Sequence, residues 1–160
     1  MSFLRPFKKN VLYKAVALST LVLSACATTQ EYKPSLADIM SQMSNRHLKL
    51  WFAGSTQNWQ LAHYELGAIR ESLQDWAKYH PTHKKIQGSV QGIVDSFINP
   101  FLNQMDVAVK NQDKEGFAAG YDNLTAACNN CHKANNYSFN ILERPRANTF
   151  TNQSFRFNPN

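Results

Sequence analysis

The sequence predicts an all-α protein, built as an antiparallel four-helix bundle with an irregular C-terminal tail. Apolar residues recur at steps of three and four in four successive segments, which is the spacing of one face of an α-helix. Gly54 and Pro81 end the first two of these segments, and no segment alternates polar and apolar residues as a strand would. Four amphipathic helices with short connections bury their apolar faces most simply as a bundle.

The first helix is expected to begin after Pro34, because Ser35 can cap it and Asp38 follows three residues later, as in a capping box. Gly54 marks its predicted end. Its predicted apolar face consists of Leu36, Ile39, Met40, Met43, His47 and either Leu50 or Trp51.

The remaining three helices are placed by the same pattern. The second is predicted over about 58–79 and the third over about 90–110, where Pro100 predicts a kink, or a break with Asn99 capping a new helix. Asp113 is a good N-cap for the fourth helix. The apolar face of this last helix carries Phe117, Tyr121, Leu124, Cys128 and Cys131. Residues 35–136 are therefore the predicted bundle, and 137–160 the irregular tail.

Residues 128–132 read Cys-Asn-Asn-Cys-His, the C-x-x-C-H pattern of c-type haem attachment. Two thiols three residues apart can each add to a vinyl group of one porphyrin, and the adjacent histidine can bind the iron. Positions i, i+3 and i+4 share one face of a helix, so all three groups would meet one flat ligand. We therefore expect a single covalent haem c in the bundle, held by Cys128 and Cys131 through thioethers and by His132 through the iron.

The motif has three alternative interpretations. A thiol redox pair would be expected near a βαβ pattern, which is absent from the sequence. A structural zinc site needs four ligands, and the chain has no second C-x-x-C. A coincidental pair of cysteines in a helix is the third interpretation.

The N-terminus predicts export from the cytoplasm. A basic stretch containing Arg5, Lys8, Lys9 and Lys14 precedes the apolar run 15–23, which makes 1–25 a secretory signal segment, too short to span a membrane. The run ends in Leu-Ser-Ala-Cys at 23–26, which resembles the lipobox of bacterial lipoproteins. That resemblance implies cleavage before Cys26 and lipidation of Cys26, followed by a polar tether up to residue 34. An ordinary signal peptide would instead leave Cys26 as a free thiol.

By the same resemblance, the chain would be lipid-anchored on the periplasmic face of a bacterial membrane. Ala27 rather than Asp after the cysteine favours the outer membrane. Four of the 17 basic residues lie in the signal segment, which leaves 13 basic against 11 acidic residues in the mature chain. That near balance argues against a nucleic-acid-binding protein, which would carry a basic patch.

A helical bundle with C-x-x-C-H near its C-terminus resembles the cytochrome c′ family, the class II c-type cytochromes. The resemblance covers about residues 35–135, and its one specific motif is residues 128–132. It implies that Cys128 and Cys131 attach haem and that His132 is the proximal iron ligand. The family usually has Arg four residues after the histidine, whereas this chain has Asn136 there and a longer tail.

The function that the resemblance implies depends on the residue opposite His132, which the family takes from its first helix. A Met or His there closes the iron and favours electron transfer, whereas an apolar residue leaves it open to small gases. We expect His47 as the candidate distal ligand, with Met43 as the alternative and His63 as a weaker third choice; an open site is the remaining alternative.

These predictions together describe a lipid-anchored monohaem cytochrome that transfers single electrons in the periplasm. No constellation of acid–base residues predicts an enzyme. The expected partners are a redox protein and the membrane, and a homodimer is compatible with this prediction. The alternatives are a haem protein that binds or buffers nitric oxide or carbon monoxide, and a haem-bearing subunit of a larger complex.

Overall fold

The computed structural model describes residues 32–83, 86 and 88–158, and this part of the chain is all-α, as predicted. Its helices are α1 (Leu36–Ser55), α2 (Trp59–Tyr79), α3 (Val90–Ile93), α4 (Asn99–Lys110) and α5 (Lys114–Ala134). No β-strand occurs among the described residues, and His83 and Ile86 form an isolated bridge. The chain divides into the units Met1–Lys33 and Pro34–Asn160, and all five helices lie in the second. The predicted signal segment, Cys26 and most of the tether lie outside the described residues.

Side-chain caps fix where three of the long helices begin. Ser35 accepts a hydrogen bond from the Asp38 N–H at 3.1 Å, and the Asp38 carboxylate accepts one from the Ser35 N–H at 3.2 Å, which completes the predicted capping box. Asn58 caps α2, and Asp113 accepts bonds from two N–H groups in the first turn of α5. The N-caps predicted at Ser35 and Asp113 are confirmed, and Asn58, near the predicted start of the second helix, is a further N-cap.

The third helical region changes its winding ahead of Pro100. Residues Val94–Ile98 form a π-helical turn between α3 and α4, and Pro100 lies in the first turn of α4. Proline has no N–H to donate to the preceding turn, so the α-helical bonding pattern cannot run through it unchanged. The expectation that Asn99 caps a new helix is wrong. Asn99 is itself helical (φ −55°, ψ −37°), and its amide donates to Asp95 Oδ1 at 2.8 Å.

The helices pack against one another along their apolar faces. α1 packs chiefly on α2 and α4 chiefly on α5, while α2 also contacts α4 and α1 also contacts α5. The largest side chains buried between them are Phe117, Tyr121, Leu50, Leu66, Leu102, Met105 and Leu124. Within the described residues, no helix combines the length and apolarity needed to cross a bilayer.

The tail after α5 has no regular secondary structure over 137–158 but is packed onto the helices. Phe155 is 4% exposed and its ring lies against those of Phe52 and Phe150, at centroid distances of 5.5 and 5.9 Å. The Thr56 hydroxyl donates to the Phe155 carbonyl at 2.6 Å. The tail is therefore attached at the C-terminal end of α1 as well as to the helix it follows.

The close approach of α1 to α5 depends on Gly54. A Cβ at this position would overlap the ring of Phe117, which is buried and flanked by the rings of Trp51 and Trp59. We expect Gly54→Ala to lower the free energy of unfolding by about 1–3 kcal/mol, since the ring has no room to move. Gly67→Ala, where a Cβ meets nothing, is the control and should raise it by about 0.5–1 kcal/mol. Urea unfolding of both variants checks this, and a Gly54→Ala variant as stable as the parent would contradict it.

Candidate functional site

Cys128, Cys131 and His132 lie in the last two turns of α5 and line one cavity of about 350 Å³. The helical spacing expected from the motif is thus observed, and it brings both thiols and the imidazole to the same cavity. Both cysteines are free thiols, and Cys128 and Cys131 are partly buried.

The rest of the cavity wall is largely apolar and comes from four parts of the chain. These are α1, α2, the stretch between α2 and α4, and the start of the tail, and α5 itself adds Leu124. The residues that complete the wall are Leu36, Ala37, Met40, Met43, Ser44, His47, Ile69, Leu73, Trp76, His83, Ile86, Ile98, Leu124, Asn135, Tyr137 and Leu142. A volume of this size lies at the lower end of the range for small-molecule and cofactor sites.

The hydrogen bond made by His132 fixes its tautomer. Nδ1 lies 2.7 Å from the carbonyl oxygen of Asn140, in the tail. A carbonyl can only accept, so Nδ1 carries the proton and donates it. In neutral His132, Nε2 is then a bare lone-pair nitrogen, the form in which imidazole binds a metal.

Burial holds both cysteines in their protonated state. It raises the pKa of the Cys128 thiol to about 12, and the neighbouring Cys131 adds to this rise. Burial also raises the pKa of Cys131, partly offset by a hydrogen bond from the Asn135 amide. Redox-active thiols show the opposite behaviour, because a lowered pKa supplies the reactive thiolate.

Both ring nitrogens of His47 are engaged in hydrogen bonds. Nε2 lies 2.9 Å from Thr125 Oγ1, and Nδ1 lies 2.9 Å from the Tyr121 hydroxyl. The Thr125 hydroxyl donates to the Tyr121 carbonyl, so it accepts from Nε2–H, and Nδ1 accepts from Tyr121. The Tyr121 ring also stacks on the imidazole at 4.3 Å. Burial lowers the pKa of His47 to about 4, so the ring is neutral at physiological pH.

The other candidate iron ligands are placed differently. Met43 lines the cavity, as does Met40 one turn earlier on α1. His63 is exposed on α2 and is not part of the cavity wall. His83, in the connection between α2 and α3, also lines the cavity.

Several residues of the site lie outside the C-x-x-C-H motif and the candidate iron ligands. Trp76 is 3% exposed and lines the cavity, and its indole N–H has no hydrogen-bond partner among the described residues. Tyr121 was identifiable only as a member of an apolar helix face, and nothing in the sequence pointed to Thr125. Asn140 acts through its backbone carbonyl, which any residue could supply. A pattern search cannot detect such a contact, because it depends on how the tail folds back.

No protein-family model matches this chain, and no curated protein or solved structure matches it either. Its function must therefore be inferred from its own residues and cavity.

Proposed function

We propose that this protein is a lipid-anchored c-type cytochrome that carries single electrons in the periplasm, its helices forming a four-helix bundle around one covalent haem. The observation that carries the proposal is the meeting of Cys128, Cys131 and His132 on one apolar cavity. The two thiols would attach the porphyrin, and Nε2 of His132 would bind the iron. When bound, the haem supplies an iron that cycles between its ferric and ferrous states, while the protein supplies ligation, burial and orientation.

The residues around the cavity fit a flat, mostly apolar cofactor. Its wall is almost wholly hydrophobic, which suits a macrocycle that must leave water. Trp76 offers a buried N–H that has no partner in the described part of the chain, and an acceptor group on a bound cofactor would satisfy it. His132 already donates a hydrogen bond from Nδ1, so Nε2 is the nitrogen that would bind the iron. The raised pKa of each thiol argues against the competing interpretation, a thiol redox pair.

Whether the protein would transfer electrons or bind a gas depends on which residue, if any, occupies the sixth coordination position of the iron. His47 was the leading distal candidate, but both its ring nitrogens are hydrogen-bonded, and ligation would break one of those bonds. Met43 therefore becomes the favoured closing ligand, and a thioether there would raise the reduction potential. Because His47 is held by these hydrogen bonds, binding of a small gas remains the second candidate function. If Met43 does not reach the iron, the cavity would admit nitric oxide or carbon monoxide.

Optical spectra of the purified protein test this proposal. We expect covalently bound haem with low-spin ferric and ferrous spectra that saturating carbon monoxide leaves unchanged. Met43→Ala should then give a high-spin spectrum and carbon monoxide binding, whereas Met40→Ala, on the same wall, is the matched control. A high-spin parent protein that binds carbon monoxide would replace electron transfer with gas binding. A parent protein without covalent haem would contradict both functions.

The lipid anchor is a separate part of the proposal. It rests on the signal segment and Cys26, and a tether would let the domain approach a redox partner while staying at the membrane. Isolation with stoichiometric partner subunits would instead favour a haem-bearing subunit of a larger complex.

A further inference from the structure

The C-terminal tail turns back toward His132 immediately after α5. Asn136 has a positive φ of 64°, the left-handed conformation in which helices commonly end and which asparagine tolerates well. The Tyr137 N–H bonds to the His132 carbonyl at 2.8 Å, and the Asn136 N–H bonds to the Lys133 carbonyl at 3.3 Å. These are the two bonds of a Schellman motif. Asn136 is thus the residue at which the chain reverses direction. The cytochrome c′ family, which the sequence resembles, usually has Arg at this position.

A second contact fixes the returning tail beside the haem motif. The Asn129 side chain donates from Nδ2 to the Leu142 carbonyl at 2.9 Å and accepts from the Leu142 N–H at 2.8 Å. This paired contact satisfies both backbone groups of Leu142, as a neighbouring β-strand would. Asn129 lies between the two cysteines of the motif, so the contact ties the tail to the helix turn that carries them.

The carbonyl of Asn140 is held between these two contacts. The Asn140 N–H bonds to the Tyr137 carbonyl at 2.9 Å, and Leu142 follows two residues later. Its carbonyl oxygen is thereby kept 2.7 Å from Nδ1 of His132. Tail residues Tyr137 and Leu142 also line the cavity, so the same segment covers part of it.

Farther along, the tail is anchored by charge and by burial. Arg144 pairs with Asp122 on α5, donates to the Ala118 carbonyl at 3.3 Å and lies over the Trp51 ring at 4.4 Å. Phe155 is buried near the end of the tail. Residues 136–155 therefore form a strap that is attached to the helices along its length.

We propose that this strap, fastened by Asn129, positions the imidazole of His132 and strengthens it as an iron ligand, so that the C-terminal tail sets the reduction potential of the haem. The inference rests on the proposed function and assigns a positioning role to Asn129. A carbonyl that accepts the Nδ1 proton pushes electron density toward Nε2 and fixes the ring orientation. An imidazole that donates more electron density to the iron stabilises the ferric state relative to the ferrous state, so the strap lowers the reduction potential.

Asn129→Ala removes both bonds to Leu142 and leaves every proposed ligand in place. We expect the holoprotein to keep its covalent haem and to show a reduction potential more positive than that of the parent. The Leu142 amide should exchange with solvent about tenfold faster, since it loses its acceptor. Asn130→Ala is the matched control. Asn130 has the same side chain and lies in the same motif, but it is exposed and makes no side-chain hydrogen bond within the described part of the chain.

The outcomes separate this inference from the proposed function. Covalent haem in both variants, with the same potential in each, would overturn the positioning role and leave the cytochrome intact. Absence of covalent haem from the parent protein would overturn the proposed function and this inference with it. If Asn129→Ala fails to fold or to attach haem, Arg144→Ala loosens the same strap beyond Leu142. That variant should shift the potential in the same direction, and no shift would again overturn the inference.

Discussion

Replacing both motif cysteines, as in Cys128→Ala/Cys131→Ala, is expected to abolish covalent haem attachment. If the proposed function holds, the thioethers form from these two thiols, which are the only cysteines within the described residues. The variant should then also lose thermal stability, because a bound cofactor stabilises only the folded state and the proposed haem would no longer be held in the apolar cavity of about 350 Å³. The mass of the intact chain, and staining for haem after denaturing electrophoresis, measure the attachment directly.

A single substitution at the predicted lipidation site is the matched control. Cys26→Ser removes the third cysteine of the chain and should keep the haem, while releasing the protein from the membrane fraction. The two variants thus separate cofactor attachment from anchoring. Covalent haem retained in the double variant would refute the assignment of residues 128–132. Loss of haem in Cys26→Ser would contradict the expectation that haem attachment is independent of the lipid anchor.

Acid should destabilise the protein through His47. The pKa of this buried ring falls from the ordinary 6.5 to about 4, so between these values the unfolded chain binds a proton that the folded chain does not. The associated stability is complete above pH 6.5 and is lost as the pH falls through 4. It amounts to about 3 kcal/mol for a ring that is 5% exposed. Urea unfolding at a series of pH values between 7 and 4 measures the loss.

His47→Leu should flatten this pH dependence. In that variant the Tyr121 and Thr125 hydroxyls each keep a backbone acceptor, the carbonyls of residues 47 and 121, so neither is left without a partner. The exposed His63→Leu variant is the control and should keep the full loss of stability in acid. The spectrum gives an independent readout. A hydrogen-bonded His47 predicts an unchanged iron spin state in His47→Leu, and conversion to high spin would instead identify His47 as the distal ligand.

Local signals in the sequence were sufficient to place the helices and the haem motif. Ser35 and Asp113 cap their helices as predicted, because a cap needs only the side chain and the backbone of the next turn. The spacing of Cys128, Cys131 and His132 likewise places them on one helix face whatever the rest of the chain does. The π-helical turn before Pro100 was not foreseen, since a missing N–H can be accommodated by more than one local geometry.

The distal side of the site was not determined by local signals. His47 and Met43 share a helix face, so periodicity alone could not choose between them. The choice depends on Tyr121 and Thr125, which lie more than 70 residues away in the sequence and occupy both nitrogens of His47. A hydrogen-bonding partner brought in by another helix is invisible to any window of the sequence.

The sequence by itself determined the fold class, the starts of α1, α2 and α5 and the three residues proposed to hold the haem, because each depends chiefly on neighbours within about one helical turn. Only the tertiary structure decided that His47 is engaged and that Trp76 has a partnerless N–H facing no described acceptor. It also decided that the Asn140 carbonyl meets Nδ1 of His132. These features arise where distant segments pack together, and a backbone carbonyl or a buried donor acquires its role only from what is brought beside it.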